Sequence, residues 1–171
     1  MAYTFVTGGA SSGKSRYALD LLGSRKDVTF IATGVGTDPE MHDRIAEHRR
    51  QRPLSWETIE EPLDLITAVK NMNSDNSGLI IDCLTMWVSN LIYMRKYDHH
   101  TIFGHAENLA SYLKHLDRTT VVVSNELGMG IIPASVESRV FRKVAGEVNQ
   151  IFARSSREVY VVISGIGMKI T

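Results

Sequence analysis

The chain has 171 residues, with 19 Lys and Arg balanced by 19 Asp and Glu, 43% hydrophobic residues and one cysteine. That length and mixture describe one globular domain able to bury roughly two thirds of its unfolded surface. Zero formal charge gives no general attraction to nucleic acid or an anionic membrane, and a lone Cys83 excludes an intramolecular disulfide or a cysteine-only metal site.

In chain order, short apolar runs at residues 3–7, 28–33, 79–83, 119–124 and 158–164 predict strands. Several are apolar at consecutive positions, the pattern of strands buried on both faces. Helical character falls between them at 13–22, Pro39–Arg50, 63–72, 86–95, 103–116 and Val136–Ser155. The last carries Val136, Val140, Val144, Val148, Ile151 and Phe152 as an apolar stripe,. Alternating strand and helix predicts an α/β domain with a mostly parallel sheet between helices, and 71–78 reads as a polar surface loop. The opening residues lack the features of a secretory leader, and the apolar stretch 79–94 is interrupted by Asp82, Thr85, Ser89 and Asn90. The expectation is therefore a soluble, cytoplasmic protein without a membrane span.

After the first run comes Gly8-Gly9-Ala10-Ser11-Ser12-Gly13-Lys14-Ser15, the G-x-x-x-x-G-K-[ST] pattern. Glycines let backbone N–H groups converge on phosphate oxygens, and the following helix adds the positive end of its dipole. Lys14 then reaches the β- and γ-phosphates, and the Ser15 hydroxyl helps to ligate Mg²⁺. The alternative is a Gly/Ser-rich turn that happens to contain Lys; the strand–loop–helix context favours the nucleotide. The third run ends in Asp82, where a carboxylate either holds the metal or its water shell or caps the next helix. No N-K-x-D tetrapeptide is present, and the D-x-x-G matches at 20–23 and 75–78 lie outside a GTPase switch context.

Asp38-Pro39-Glu40 reads as a helix start, and along that helix Met41, Ile45 and His48 share a face,. Arg44, Arg49, Arg50 and Arg52 surround His48, and Pro53 ends the helix. One reading is a partly buried histidine with a solvated basic rim. The other is a nucleophile: guanidiniums would keep the imidazole neutral and would neutralise charge on a phosphate under attack. Spacing leaves both open. The other histidines show no such arrangement, and His99-His100 reads as a polar loop.

Taken together, the residues resemble the bifunctional adenosylcobinamide kinase / adenosylcobinamide-phosphate guanylyltransferase family of cobalamin assembly. The matching segments are Thr7 to Ser15, Ile31-Ala32-Thr33, Met41-x-x-Arg44-Ile45-x-x-His48 with Arg52-Pro53, and Trp56-x-Thr58-x-Glu60. Further on come Asn125-Glu126-x-Gly128-Met129-Gly130-Ile131-x-Pro133, Ala145-Gly146-x-Val148-Asn149-Gln150 and Ser164-Gly165-Ile166-Gly167. The resemblance implies a three-layer RecA-like P-loop fold with a short antiparallel edge, and a homotrimer. It implies phosphorylation of adenosylcobinamide by ATP or GTP, then transfer of GMP from GTP through His48 to adenosylcobinamide phosphate. Carried onto this chain, Gly8 to Ser15 hold the triphosphate; Thr33, Gly34, Val35, Arg49, Arg50, Gln51 and Arg52 surround the nucleotide; Glu60 and Asp82 complete the set.

Three departures stand out. Asp82 replaces a Glu of some relatives, Thr33-Gly34-Val35 replaces longer polar side chains, and 94–103 is compact. Glu126 either polarises the substrate hydroxyl or orients Mg²⁺, or simply caps a glycine-containing loop. Two other classes compete: a single-activity P-loop kinase of small metabolites, and a non-catalytic P-loop module coupled to a protein or nucleic-acid partner. Neutral charge and the lack of an aromatic stacking pattern count against the second.

Overall fold

The computed structural model describes residues 2–36 and 39–171, without the side chain of Arg44. Its elements in order are β1 (Thr4–Gly8), α1 (Lys14–Leu22), β2 (Val28–Ala32), α2 (Pro39–Arg50), β3 (Glu57–Glu60), α3 (Leu65–Asn71) and β4 (Gly78–Asp82). They continue with α4 (Leu84–Tyr93), α5 (His99–Lys114), β5 (Thr119–Asn125), α6 (Val136–Ser155), β6 (Glu158–Ile163) and β7 (Ile166–Lys169). Among the described residues the strands form one sheet in the order β3-β2-β4-β5-β1-β6-β7, parallel except for β7, which runs antiparallel to β6.

Consecutive apolar residues in the strands feed two cores, one on each face. Phe5, Ile31, Leu79, Ile81 and Val122 meet α3, α4, α5 and α6, while Val6, Val28, Phe30, Ile80, Val121 and Val123 meet α1 and Trp56. Each fully buried Leu, Ile or Phe contributes roughly 1.5–3 kcal/mol. Polar atoms of the buried aromatics are satisfied: Tyr3 donates to the Phe152 carbonyl at 2.7 Å, Trp87 to Leu63 at 2.8 Å and Trp56 to Arg25 at 2.8 Å.

Several expectations needed correction. β3 was absent from the apolar runs because its residues are mostly exposed on the sheet margin. α5 starts at His99, so His99 and His100 sit in its first turn and not in a loop; Asp98 caps it by accepting the Thr101 N–H at 2.8 Å. α4 likewise begins two residues before the expected start. The stripe on α6 is buried at Val144, Val148 and Phe152 and half-buried at Ile151, but Val136 and Val140, in the first turns, are exposed. The expected cap at Asp38 lies outside the described residues. No described helix is long and apolar enough to cross a membrane.

Candidate nucleotide site

The carboxyl end of a parallel sheet is where ligands gather, because the loops leaving its strands converge there. At that end β1 runs into the loop from Gly9 to Gly13, and α1 begins at Lys14. Gly13 has φ +88°, and a Cβ there would sit 3.0 Å from the Cα of Gly165, so backbone angle and space both demand glycine,. Ser12 donates its N–H to Gly9 at 3.2 Å and its carbonyl accepts from Gly165 at 2.8 Å, which backs the loop onto the β6–β7 turn. Lys14 is only 8% exposed, and its Nζ donates to the Gly9 carbonyl at 3.0 Å. The ammonium is thus held inside the curve of the loop, over the space that phosphates occupy in a cradle of this kind. The buried hydroxyls of Thr7 and Ser12 make no hydrogen bond to any described group.

Strand order sets the next partner. β5 lies between β1 and β4, so Asp82, at the end of β4, stands about 10 Å across the sheet from the β1 end. The carboxylate of Asp82 and, in the opposite sense, the ammonium of Lys14 both act on the Cys83 thiol, which burial pushes up to about 12. Thr33 is fully buried, and its hydroxyl accepts from the Cys83 N–H at 2.8 Å while donating to the Cys83 carbonyl at 2.7 Å. That hydroxyl is committed to the scaffold, and Gly34 and Val35 beyond it are half-exposed. Asn90 of α4 holds the same segment, donating to Thr33 at 2.8 Å and Pro62 at 3.1 Å.

α2 brings the histidine to this end. Apart from Met41 and Ile45, both half-buried, its described side chains are exposed, His48 among them. The partly buried histidine of the spacing argument is therefore not what the structure shows. Arg49 pairs with Glu60 at the end of β3, and Arg50 pairs with Glu47 at 2.5 Å. Arg52 behaves differently: its guanidinium lies 3.9 Å over the Phe30 ring, and its buried Nε and Nη1 donate to no described group. Burial lowers its pKa, opposed by the charge of Asp82. The open donors of Arg52 can take the oxygens of an anion at this end of the sheet,. Gln51 is exposed on the turn between Arg50 and Arg52.

On the other flank, Glu126 follows β5. Its N–H donates to the Gly8 carbonyl at 2.8 Å, tying this loop to the phosphate loop. Its carboxylate accepts the N–H of Gly128, so the loop-capping role is realised, with the second carboxylate oxygen left over. The end of β5 is further fixed by Thr85 Oγ1, which accepts the Asn125 N–H at 2.8 Å, and by Asn149, which donates to the Asn125 carbonyl at 2.9 Å. Sequence reasoning missed Asn90, Thr85 and Asn149 as scaffold residues, and Arg139 and Arg142 as loop clamps. For Thr85, Asn90 and Asn149 the signal was faint, polar residues on otherwise apolar helix faces; the two arginines look like ordinary exposed helix residues.

Fold and loop together define a P-loop nucleotide-binding protein of RecA-like architecture. The RadB recombinase superposes with a TM-score of 0.55 at 16% identity, covering 94% of this chain and 73% of that one. A Pyrococcus horikoshii OT3 protein gives 0.57 at 8% identity, covering 98% and 85%. Both likenesses concern the fold alone. The profile of the family described as cobinamide kinase / cobinamide phosphate guanyltransferase matches residues 4–170. The chain is 38% identical over 176 residues to the bifunctional adenosylcobalamin biosynthesis protein CobU of Escherichia coli (strain K12), covering 96% of this chain and 97% of that protein. It is 38% identical over 164 residues to the bifunctional adenosylcobalamin biosynthesis protein CobP of Pseudomonas aeruginosa, covering 95% and 94%. The chain belongs to the cobinamide kinase / cobinamide phosphate guanyltransferase family.

Proposed function

We propose that this chain phosphorylates adenosylcobinamide with ATP or GTP, then transfers GMP from GTP to adenosylcobinamide phosphate through a guanylyl group carried on His48. One domain runs both reactions. The observation that carries the transferase half is Arg52, a half-buried guanidinium with open donors, four residues from an exposed His48 and acted on by the charge of Asp82.

In the kinase step the acceptor oxygen bonds to the γ-phosphorus, the bond to the β,γ-bridging oxygen breaks, and the nucleoside diphosphate leaves with that electron pair. The hydroxyl proton passes to Glu126 or to water. Lys14 exchanges its Gly9 carbonyl for phosphate oxygens, and the backbone N–H groups of the loop hold the remainder. In the transferase step an imidazole nitrogen of His48 attacks the α-phosphorus, a P–N bond forms, and pyrophosphate departs. The acceptor's phosphate oxygen then attacks the same phosphorus, and the P–N bond breaks to return the histidine. Arg49 and Arg52 balance the charge on the phosphorus centre.

Ser15 Oγ and the Asp82 carboxylate are hard oxygen donors at the phosphate end. That set suits Mg²⁺, which keeps several waters and uses one or two protein ligands beside nucleotide phosphates; the described residues hold no three-ligand cage that would suit a different ion. When bound, Mg²⁺ neutralises phosphate charge. The homotrimer that the resemblance implies is supported by exposed Ile163, Ile166, Met168 and Ile170 on the sheet margin,. A lone buried cysteine suits a cytoplasmic location.

The test is to incubate the protein with Mg²⁺ and GTP labelled at the α- or the γ-phosphate, then denature it. Acid-labile, alkali-stable label from the α-position alone, lost in His48→Asn, is the expected result. Active protein that takes up neither label with pyrophosphate removed would leave a P-loop kinase without a covalent carrier.

A further inference from the structure

We propose that the cavity between the loop after β5 and the first turns of α6 binds the acceptor, taking an arm that ends in a hydroxyl in one reaction and in a phosphate monoester in the other. The inference rests on the bifunctional reading and locates its second substrate.

Position is the first argument. The cavity measures about 400 Å³ and is lined by Glu126, whose N–H is fastened to Gly8 of the phosphate loop at 2.8 Å. A group held there lies beside the end of the triphosphate, on the α6 side of the sheet, while His48 and Arg52 approach from the β2–β4 side. Such a volume suits a side arm; a corrin ring must rest outside it.

Charge is the second. Arg139, Arg142 and Lys143 line the cavity against the carboxylates of Glu126 and Glu147. Two of these cations also build the walls. Arg142 donates to the carbonyls of Gly128 at 2.9 Å, Ile131 at 3.0 Å and Gly130 at 3.3 Å, and Arg139 to Ala134 at 2.6 Å and Pro133 at 3.0 Å. Carbonyl partners leave their positive charge uncancelled. Among the described residues Lys143 has only a 3.9 Å ion pair with Glu147, which an incoming phosphate displaces at little cost.

The loop's side chains supply the third. Because guanidiniums hold its backbone, the loop needs no apolar burial of its own, and Met129, Ile131, Ile132 and Val136 stay exposed, Ile131 at 94%. An apolar shelf beside a cation-lined cavity matches an acceptor with a broad apolar body and a polar arm. The competing occupant of the shelf is a second copy of this chain.

The experiment measures KM for adenosylcobinamide, adenosylcobinamide phosphate and GTP with the wild type, Lys143→Glu and Ile132→Asp, together with mass by light scattering. Lys143→Glu should raise KM for the phosphorylated acceptor about tenfold or more, as expected for loss of a charge-assisted contact. Its effect on the unphosphorylated acceptor should stay below about threefold, because that arm carries no charge. Ile132→Asp should raise both acceptor KM values alike. A wild type that turns over both acceptors, with variants whose acceptor KM values are unchanged, overturns the inference and spares the functional reading. Dissociation of the assembly by Ile132→Asp with acceptor KM values unaltered assigns the shelf to a subunit contact and also overturns it. A folded wild type that turns over neither acceptor sinks the bifunctional reading, and the inference with it.

Discussion

Lys14 occupies an unusual position for an ammonium: almost buried, with a carbonyl of its own loop at 3.0 Å as a hydrogen-bond partner. Burying a cation is costly unless it is hydrogen-bonded, so the loop geometry that accommodates Lys14 also aims it. Exchanging that carbonyl for phosphate oxygens strengthens the contact, since both partners are then charged. Lys14→Ala should therefore lower kcat for γ-phosphoryl transfer to adenosylcobinamide by about 100-fold or more. Initial rates with γ-labelled nucleotide at saturating acceptor are the check, and a loss below tenfold would show that the loop backbone alone suffices. Gly8 belongs to the same device: a Cβ there would lie 2.5 Å from the Val162 carbonyl and 2.7 Å from Ser12 Oγ.

Among the elements, the caps decide where helices begin, and one of them carries a pH signature. Asp64 caps α3, accepting the Thr67 N–H at 3.1 Å and its hydroxyl at 2.7 Å. The Thr67 hydroxyl and N–H hold the Asp64 carboxyl below its usual pKa. A lowered pKa in the folded state means that this stabilisation is complete above the unfolded value of about 4 and is lost as pH falls through the folded value. Asp64→Ala should cost about 1 kcal/mol at pH 7, read as a lower urea midpoint. The gap to wild type should narrow below about pH 4, whereas Asp64→Asn should keep much of the cap without the pH dependence. A gap constant from pH 7 to pH 3 would refute the ionic contribution. α2 follows a different logic: it buries little, and the Arg49–Glu60 pair and, two residues past its end, Arg52 on Phe30 help to tie it to the sheet.

Across the molecule, the aromatic packing around Phe152 and the candidate site occupy opposite ends of the sheet. Phe152, near the end of α6, is fully buried between Tyr3 and Phe5, with ring centroids 5.9 and 6.5 Å away. It lies beside the starts of β1 and β6, while the phosphate loop, Asp82 and Glu126 lie at the strand ends. Phe152→Ala should cost about 3–5 kcal/mol through lost burial and a cavity. At temperatures where the variant remains folded, KM for GTP should be unchanged. A large shift in KM without loss of stability would mean that the two ends are coupled through α6.

The division between what was legible and what was not follows from the range of the interactions. Buried parallel strands, the phosphate loop and the extent of α6 were readable because each is a local pattern: consecutive apolar residues, glycines at fixed offsets, and an apolar stripe at helical spacing. Membership of the family was readable from segments such as 48–53 and 125–133, and the profile match and the relatives bear it out. The margin strands β3 and β7 were not visible in the apolar runs, since exposed edges carry weak periodicity, and β7 came only from the resemblance. The start of α5 was missed because two histidines look like a loop until Asp98 is seen to cap them. Only the folded chain could decide that Thr33 spends its hydroxyl on Cys83, that Arg52 keeps open donors while lying over Phe30, and that Arg139 and Arg142 hold a loop whose apolar side chains face outward. Each of these depends on groups distant in sequence meeting at a strand end, and no local pattern records such a meeting.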